Sequence, residues 1–154
     1  MRLRAGNVRL ALVAGCRPDV ARRLRRGLVG AGLLGHPGIV LLQDRDMLMY
    51  LRSFNAILAR TDVLWTKPSE LTFFAALGLP LVAAPPIGMH EQRNLRWAVD
   101  AGAALPQRDP RSAADWLLGW LEDGTLARAA WNAYRELPKL GLYQIVEAVR
   151  RDAA

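Results

Sequence analysis

The sequence predicts an α/β protein: a parallel sheet with helices on both faces, followed by a helical tail. Three observations predict it. Short apolar runs alternate with segments whose apolar residues recur at helical spacing. The runs are apolar almost throughout, as expected of strands covered on both sides. Beyond residue 105 only the helical spacing remains. A chain of 154 residues, 52% of them hydrophobic, suits a single domain spanning 1–154, able to bury roughly 70% of its unfolded surface.

Taken in order, Val8–Ala14 reads as a strand ending at Gly15, and Pro18-Asp19 opens a helix with Val20, Leu24 and Leu28 on one side. Gly38–Leu42 is a second strand, and Asp46 begins a helix carrying Met47, Leu51, Phe54 and Leu58. Strand Asp62–Trp65, helix Ser69–Leu77, strand Leu79–Ala84, helix Met89–Ala101 and a short strand Ala103–Leu105 complete the alternation. In the tail, Asp109-Pro110 caps a helix running to Glu122, and Asp123-Gly124-Thr125 stops it and caps another to about Glu136. Tyr143–Arg150 is the last helix. The five tryptophans, Trp65, Trp97, Trp116, Trp120 and Trp131, are read as core or helix-packing residues.

Composition limits the function. One cysteine, Cys16, leaves no internal disulfide framework, and His36 and His90 as the only histidines argue against a multi-histidine metal site. Cys16 itself reads as a buried, inert thiol. Apolar stretches such as Leu77–Ile87 are too short to span a bilayer, and no signal-type segment follows Met1, so a cytoplasmic location is the expectation. A net charge of +7, mostly from arginine, attracts phosphates of any kind. Its densest cluster, Arg22, Arg23, Arg25 and Arg26, falls on one predicted helix. A solvated face accounts for it, and contact with an anionic membrane surface is the sharper alternative. No aromatic platform or nucleic-acid motif accompanies the charge, so no nucleic-acid partner is expected.

The chemically able side chains crowd two joints that follow strands, at Thr66–Glu70 and Gly88–Asn94. In a parallel sheet both joints lie at the carboxyl edge, where ligands bind. Pro68 ends the first strand, and Ser69 is placed to cap the next helix. That leaves amide N–H groups and the positive end of the helix dipole for an anion, with Lys67 adding a full charge. Glu70 is either a first-turn glutamate or a ligand contact. In the second joint, Gly88 permits close backbone approach. Glu91 and Asn94, three residues apart, share a helix face suited to vicinal hydroxyls, with His90 beside them.

The stretch Thr61–Leu71, then Ala75-Ala76-Leu77-Gly78-Leu79-Pro80, then His90–Asn94 and Ala101–Ala104 resembles the donor-binding, C-terminal domain of GT-B glycosyltransferases. The nearest groups are the peptidoglycan N-acetylglucosaminyltransferase and the diacylglycerol glycosyltransferases. The resemblance is good over 61–104 and weaker, though consistent in topology, from residue 8. It implies a Rossmann-like fold and a nucleotide-diphosphate sugar, UDP-linked, as substrate, with no further cofactor and no metal. It places Lys67–Glu70 at the diphosphate and Glu91 and Asn94 at the donor sugar. Gly15 and Cys16 stand where the family has a glycine-rich phosphate turn, here reduced to Gly15-Cys16-Arg17-Pro18. The family's ribose-binding glutamate lies deeper in the helix, where this chain has Phe73 or Phe74. Either Glu70 substitutes for it, or ribose recognition is altered or lost. The acceptor, and commonly the catalytic base, belong to an N-terminal domain. The chain is thus expected to need that domain or a separate partner chain and to be inactive alone, with no catalytic residue assigned. Lipid acceptors in the family imply a peripheral place at the inner membrane face. Two alternatives keep the fold: a nucleotide-sugar epimerase using His90 and Glu91, or a non-catalytic binding module.

Overall fold

A computed structural model of the protein describes residues 8–69 and 71–152. The fold is α/β, with parallel strands, flanking helices and a helical C-terminal tail, as the alternation predicts. The strands pair in two separate sheets, and the chain divides into two compact units, 1–61 and 62–154.

The first unit contains β1 (Leu10–Gly15), α1 (Pro18–Gly30), β2 (Ile39–Gln43) and α2 (Met47–Leu58). β1 and β2 run parallel from Leu10 opposite Ile39 to Gly15 opposite Gln43, with a register shift after Val13. The return from α1 is tied at two points: the Gly38 N–H donates to Nδ1 of His36 (3.0 Å), and the Leu10 N–H donates to the Gly38 carbonyl (2.8 Å). His36 is therefore a turn residue. Asp46 caps α2 as predicted, its carboxylate accepting from the Met49 N–H at 3.0 Å. Ala14, Ala21 and Leu42 are the buried hydrophobic residues described in this unit, while Leu10, Val13 and Val40 stay substantially exposed. The strands here are thus apolar without being fully covered.

The second unit contains β3 (Leu64–Thr66), α3 (Leu71–Ala76), β4 (Leu81–Ala83), α4 (Met89–Asp100) and β5 (Ala104–Pro106). The strands are parallel in the order β3-β4-β5, with Leu81 opposite both Leu64 and Ala104. A 3-10 turn at Pro110–Ser112 leads into α5 (Ala113–Glu122), α6 (Thr125–Glu136) and α7 (Gly141–Asp152). Asp109 caps the 3-10 turn rather than a helix, and α5 starts one turn later than predicted. The central strand β4 is wholly buried. Val82 forms a core cluster with Trp116, Trp120 and Leu126, against which Val63, Leu105, Ala113 and Leu117 pack. Trp116 stacks edge-on to Trp65 (ring centroids 5.3 Å apart) and donates its indole N–H to the Asp109 carbonyl at 2.8 Å.

The tryptophan reading needs correction. Trp116 and Trp120 are core; Trp65 in β3 is 40% exposed, and Trp97 and Trp131 are 42% and 62% exposed on their helices. Each of the last two lies on the outer side of a helix whose buried residues are mostly small, Ala98 in α4 and Leu126, Ala129 and Ala133 in α6. Small residues let those helices approach the sheet closely and leave the large rings outside.

Candidate functional site

The carboxyl ends of β3, β4 and β5 lie at one edge of their sheet because the strands are parallel. The residues leaving that edge include Lys67 after β3, Pro85–Gly88 after β4 and Gln107 after β5. Backbone bonds continue the pairing past the strands, with the Ala84 N–H donating to the Thr66 carbonyl and the Gln107 N–H to the Ala83 carbonyl.

The two polar joints meet there. Asn94 Nδ2 donates to the Pro68 carbonyl at 3.0 Å. Lys67 Nζ donates to the Pro85 carbonyl at 3.2 Å and lies 3.8 Å from Glu91 Oε2. The same Glu91 oxygen accepts from the Ile87 N–H at 2.6 Å. Pro68 is fully buried, so the turn after β3 is anchored where Asn94 reaches it. Glu91 thus braces the Pro85–Gly88 loop against the first turn of α4 and holds Lys67 across from it.

Gly88 is the pivot of this arrangement. Its backbone sits at φ 90°, ψ 169°, a region open essentially to glycine alone. From there α4 starts without a side-chain cap, so first-turn amides that have no intrahelical acceptor face the loop end. His90 is exposed on that turn.

The first joint differs from expectation in one respect. α3 starts at Leu71 and has six residues, where the sequence suggested a helix from Ser69 to Leu77. Ser69 is an exposed turn residue ahead of it, and a helix of under two turns gathers little dipole. The longer helix at this edge is α4, so the amide-rich end belongs to the second joint. Glu70 lies outside the described residues.

Gly15 and Cys16 belong to the first unit, at the carboxyl end of β1. Gly15 adopts φ 60°, and its carbonyl accepts from the Asp44 N–H at 3.2 Å. Cys16 is partly exposed, not buried as expected. One oxygen of Asp44, Oδ2, is shielded from solvent without a hydrogen-bond partner. The Arg17 guanidinium closes on Asp19 (2.8 and 3.0 Å) and holds that carboxyl down from 3.8 to about 2. A depressed carboxylate stabilises the fold above its unfolded pKa, so this pair supports α1 above about pH 3.8 and its contribution is lost as pH falls through about 2. Two carboxylates near the turn and a guanidinium already engaged make a poor phosphate cradle.

Sequence reasoning missed Gln107 and Trp65. Trp65 Nε1 donates to Gln107 Oε1 at 2.8 Å, linking the end of β3 to the residue after β5. The carboxyl-edge rule, applied to the third strand as it was to the first two, points to Gln107. Among the described residues no group of three or more His, Cys, Asp or Glu side chains could hold a metal ion, and no helix is long and apolar enough to cross a membrane. Neither a family model, a curated protein nor a solved structure matches this chain.

Proposed function

We propose that the carboxyl edge of the β3-β4-β5 sheet is the donor-binding site of a glycosyltransferase, taking a nucleotide-diphosphate sugar, UDP-linked. The transfer itself needs an acceptor-binding N-terminal domain or partner chain. One observation carries the reading: the two joints converge, with Asn94 hydrogen-bonded to the Pro68 carbonyl and Glu91 within ion-pair distance of Lys67. The uncapped start of α4 beside Lys67 supplies backbone donors and a cation for a diphosphate. An arriving diphosphate competes with Glu91 for Lys67 and frees that carboxylate for sugar hydroxyls. As the nucleoside diphosphate departs, the same donors stabilise its growing charge. His90, exposed on the first turn of α4, flanks the sugar position. Calorimetric titration of the chain with UDP and with UDP-sugars tests this. Saturable binding of both, tighter for one sugar, is the expected result. Absence of heat at about 1 mM, a concentration at which even a weak site of about −4 kcal/mol fills by half, refutes it.

A second reading is favoured by the same bonds. Lys67, Glu91 and Asn94 each already have a partner within the chain, as in a non-catalytic module whose polar edge only locks its loops. A titration without heat would select it.

We further propose that the first unit meets an anionic membrane surface. Residues 1–61 contain eleven arginines and three aspartates, whereas residues 62–154 contain ten basic and eleven acidic side chains. The whole positive excess therefore lies in the first unit. Arg22, Arg23 and Arg26 are exposed along α1, with no ion pair among the described residues. Sedimentation with phosphatidylserine vesicles but not with neutral ones, lost on replacing these three by glutamine or at about 1 M salt, is the expected outcome. Equal sedimentation with both lipids would exclude it.

A further inference from the structure

The first turn of α2 is apolar and faces water. Met47, Leu48, Met49 and Leu51 are 46–59% exposed. The large side chains of this helix that gain partial cover are Tyr50, Phe54, Ile57 and Leu58, and Tyr50 stacks on Phe54 with ring centroids 5.7 Å apart. The exposed turn holds no acidic residue, although a helix dipole favours carboxylates there. Asp46 accepts from the Met49 N–H at 3.0 Å, which fixes the backbone that carries these side chains. Four large apolar groups together on the surface of a strongly charged unit mark a place of contact.

Guanidinium groups surround the turn. β1 and β2 are parallel, so α1 and α2 both begin at the carboxyl edge of their sheet. Arg45 precedes the turn, and Arg52 lies one helical turn beyond Leu48. Both are exposed, and neither forms an ion pair among the described residues. From α1, Arg25 Nη2 reaches to 3.5 Å from Gln43 Oε1, at the end of β2. Of the unit's three acids, Asp19 is paired with Arg17, Asp46 accepts the Met49 N–H, and Asp44 keeps one oxygen away from solvent.

Resting on the reading that the first unit meets an anionic membrane, we infer that the first turn of α2 is the part that enters it. Met47, Leu48, Met49 and Leu51 go to the boundary between headgroups and acyl chains, and Arg45 and Arg52 stay at the phosphates. Three considerations select lipid as the occupant. The unit carries eleven arginines and three aspartates, so it attracts an anionic surface and repels a second copy of itself. Arginine suits this border, because its stem lies along apolar surface while its head keeps polar company. The four side chains on the turn include no aromatic ring of the kind that anchors protein interfaces, whereas a fluid acyl phase accepts Met and Leu without a shape-matched pocket. Nucleic acid would satisfy the charge through its phosphates but would leave the apolar turn in water.

Vesicle sedimentation and fluorescence on the full chain test the insertion. Leu48→Gln combined with Met49→Gln, both at exposed positions, keeps helix propensity and every arginine. It should lower the partition coefficient onto mixed phosphatidylserine–phosphatidylcholine vesicles at least about tenfold, with unchanged circular dichroism. Depth is read separately. An environment-sensitive fluorophore on Leu48→Cys, in a Cys16→Ser chain, should shift to the blue with these vesicles and be quenched by lipids brominated in the acyl chain. The same label on Asn55→Cys, two turns further along α2 and also exposed, should do neither. A wild type that does not sediment with the vesicles refutes the membrane reading itself, and this inference with it. Sedimentation that survives the double substitution, with the label at position 48 still in water, overturns this inference alone and leaves a contact made by arginines. Tighter retention on duplex DNA than on vesicles, unchanged by the double substitution, overturns it in favour of nucleic acid.

Discussion

Trp116→Ala lowers the unfolding free energy by about 3–5 kcal/mol in a urea titration, a large share of what a domain this size possesses. The indole is nearly buried and sits between Trp65 and Trp120, with ring centroids 5.3 and 4.7 Å away. It also fills the space over Val82 of the central strand. Alanine removes that contact and leaves a cavity that β4 and α5 close only in part. The Asp109 carbonyl loses the indole N–H that it accepts at 2.8 Å, so the turn into α5 loosens as well. Phenylalanine in its place separates the terms: it restores most of the volume but not the hydrogen bond, and should recover more than half of the loss. A cost below about 1 kcal/mol, typical of a surface substitution, would show that the tryptophan pair is not the core of this unit.

The second large effect belongs to Glu91. Its carboxylate accepts from the Ile87 N–H and faces Lys67, and only 13% of its side chain is exposed. Glu91→Ala leaves that amide and the ammonium without their acceptor. A hydrogen bond to a charged group contributes about 1.5–3 kcal/mol; the lower half of that range applies, because Lys67 is 43% exposed and screened by solvent. Glu91→Gln keeps an acceptor for Ile87 and should cost less than half as much. The two variants also divide the functional readings. If the carboxylate turns to donor sugar hydroxyls, Glu91→Gln loses discrimination among UDP-sugars while UDP itself binds within about threefold of wild type, under 1 kcal/mol. Equal losses for UDP and UDP-sugar would leave Glu91 as a brace of the loop alone. A cycle with Lys67→Met isolates the ion pair, whose coupling should be about 0.5–1 kcal/mol at this exposure.

Much of the architecture could be read before any coordinates. Asp46 fell one residue ahead of α2, Gly88 just ahead of α4, and Gly124 between α5 and α6. Each meets a need set by its immediate neighbours, either a carboxylate accepting a first-turn amide or a backbone angle that only glycine tolerates. Needs of that kind leave local signatures. The parallel alternation was equally legible, and with it the placement of Lys67, Glu91 and Asn94 near one sheet edge.

What the sequence determined, then, was the order of elements, the Asp46 cap and the edge on which the polar joints fall, since these depend on neighbours a few residues away. Tertiary structure alone decided who partners whom: that Asn94 spends its amide on Pro68, that Glu91 turns back to Ile87 and Lys67, and that α3 stops at six residues. It also decided which tryptophans lie inside, for Trp116 and Trp131 look alike in a sequence, but α5 buries Trp116 with Trp120 whereas α6 buries Leu126, Ala129 and Ala133 and leaves Trp131 outside. Such choices are set by the packing of residues far apart in the chain, and helical spacing gives only a face, not the surface that meets it.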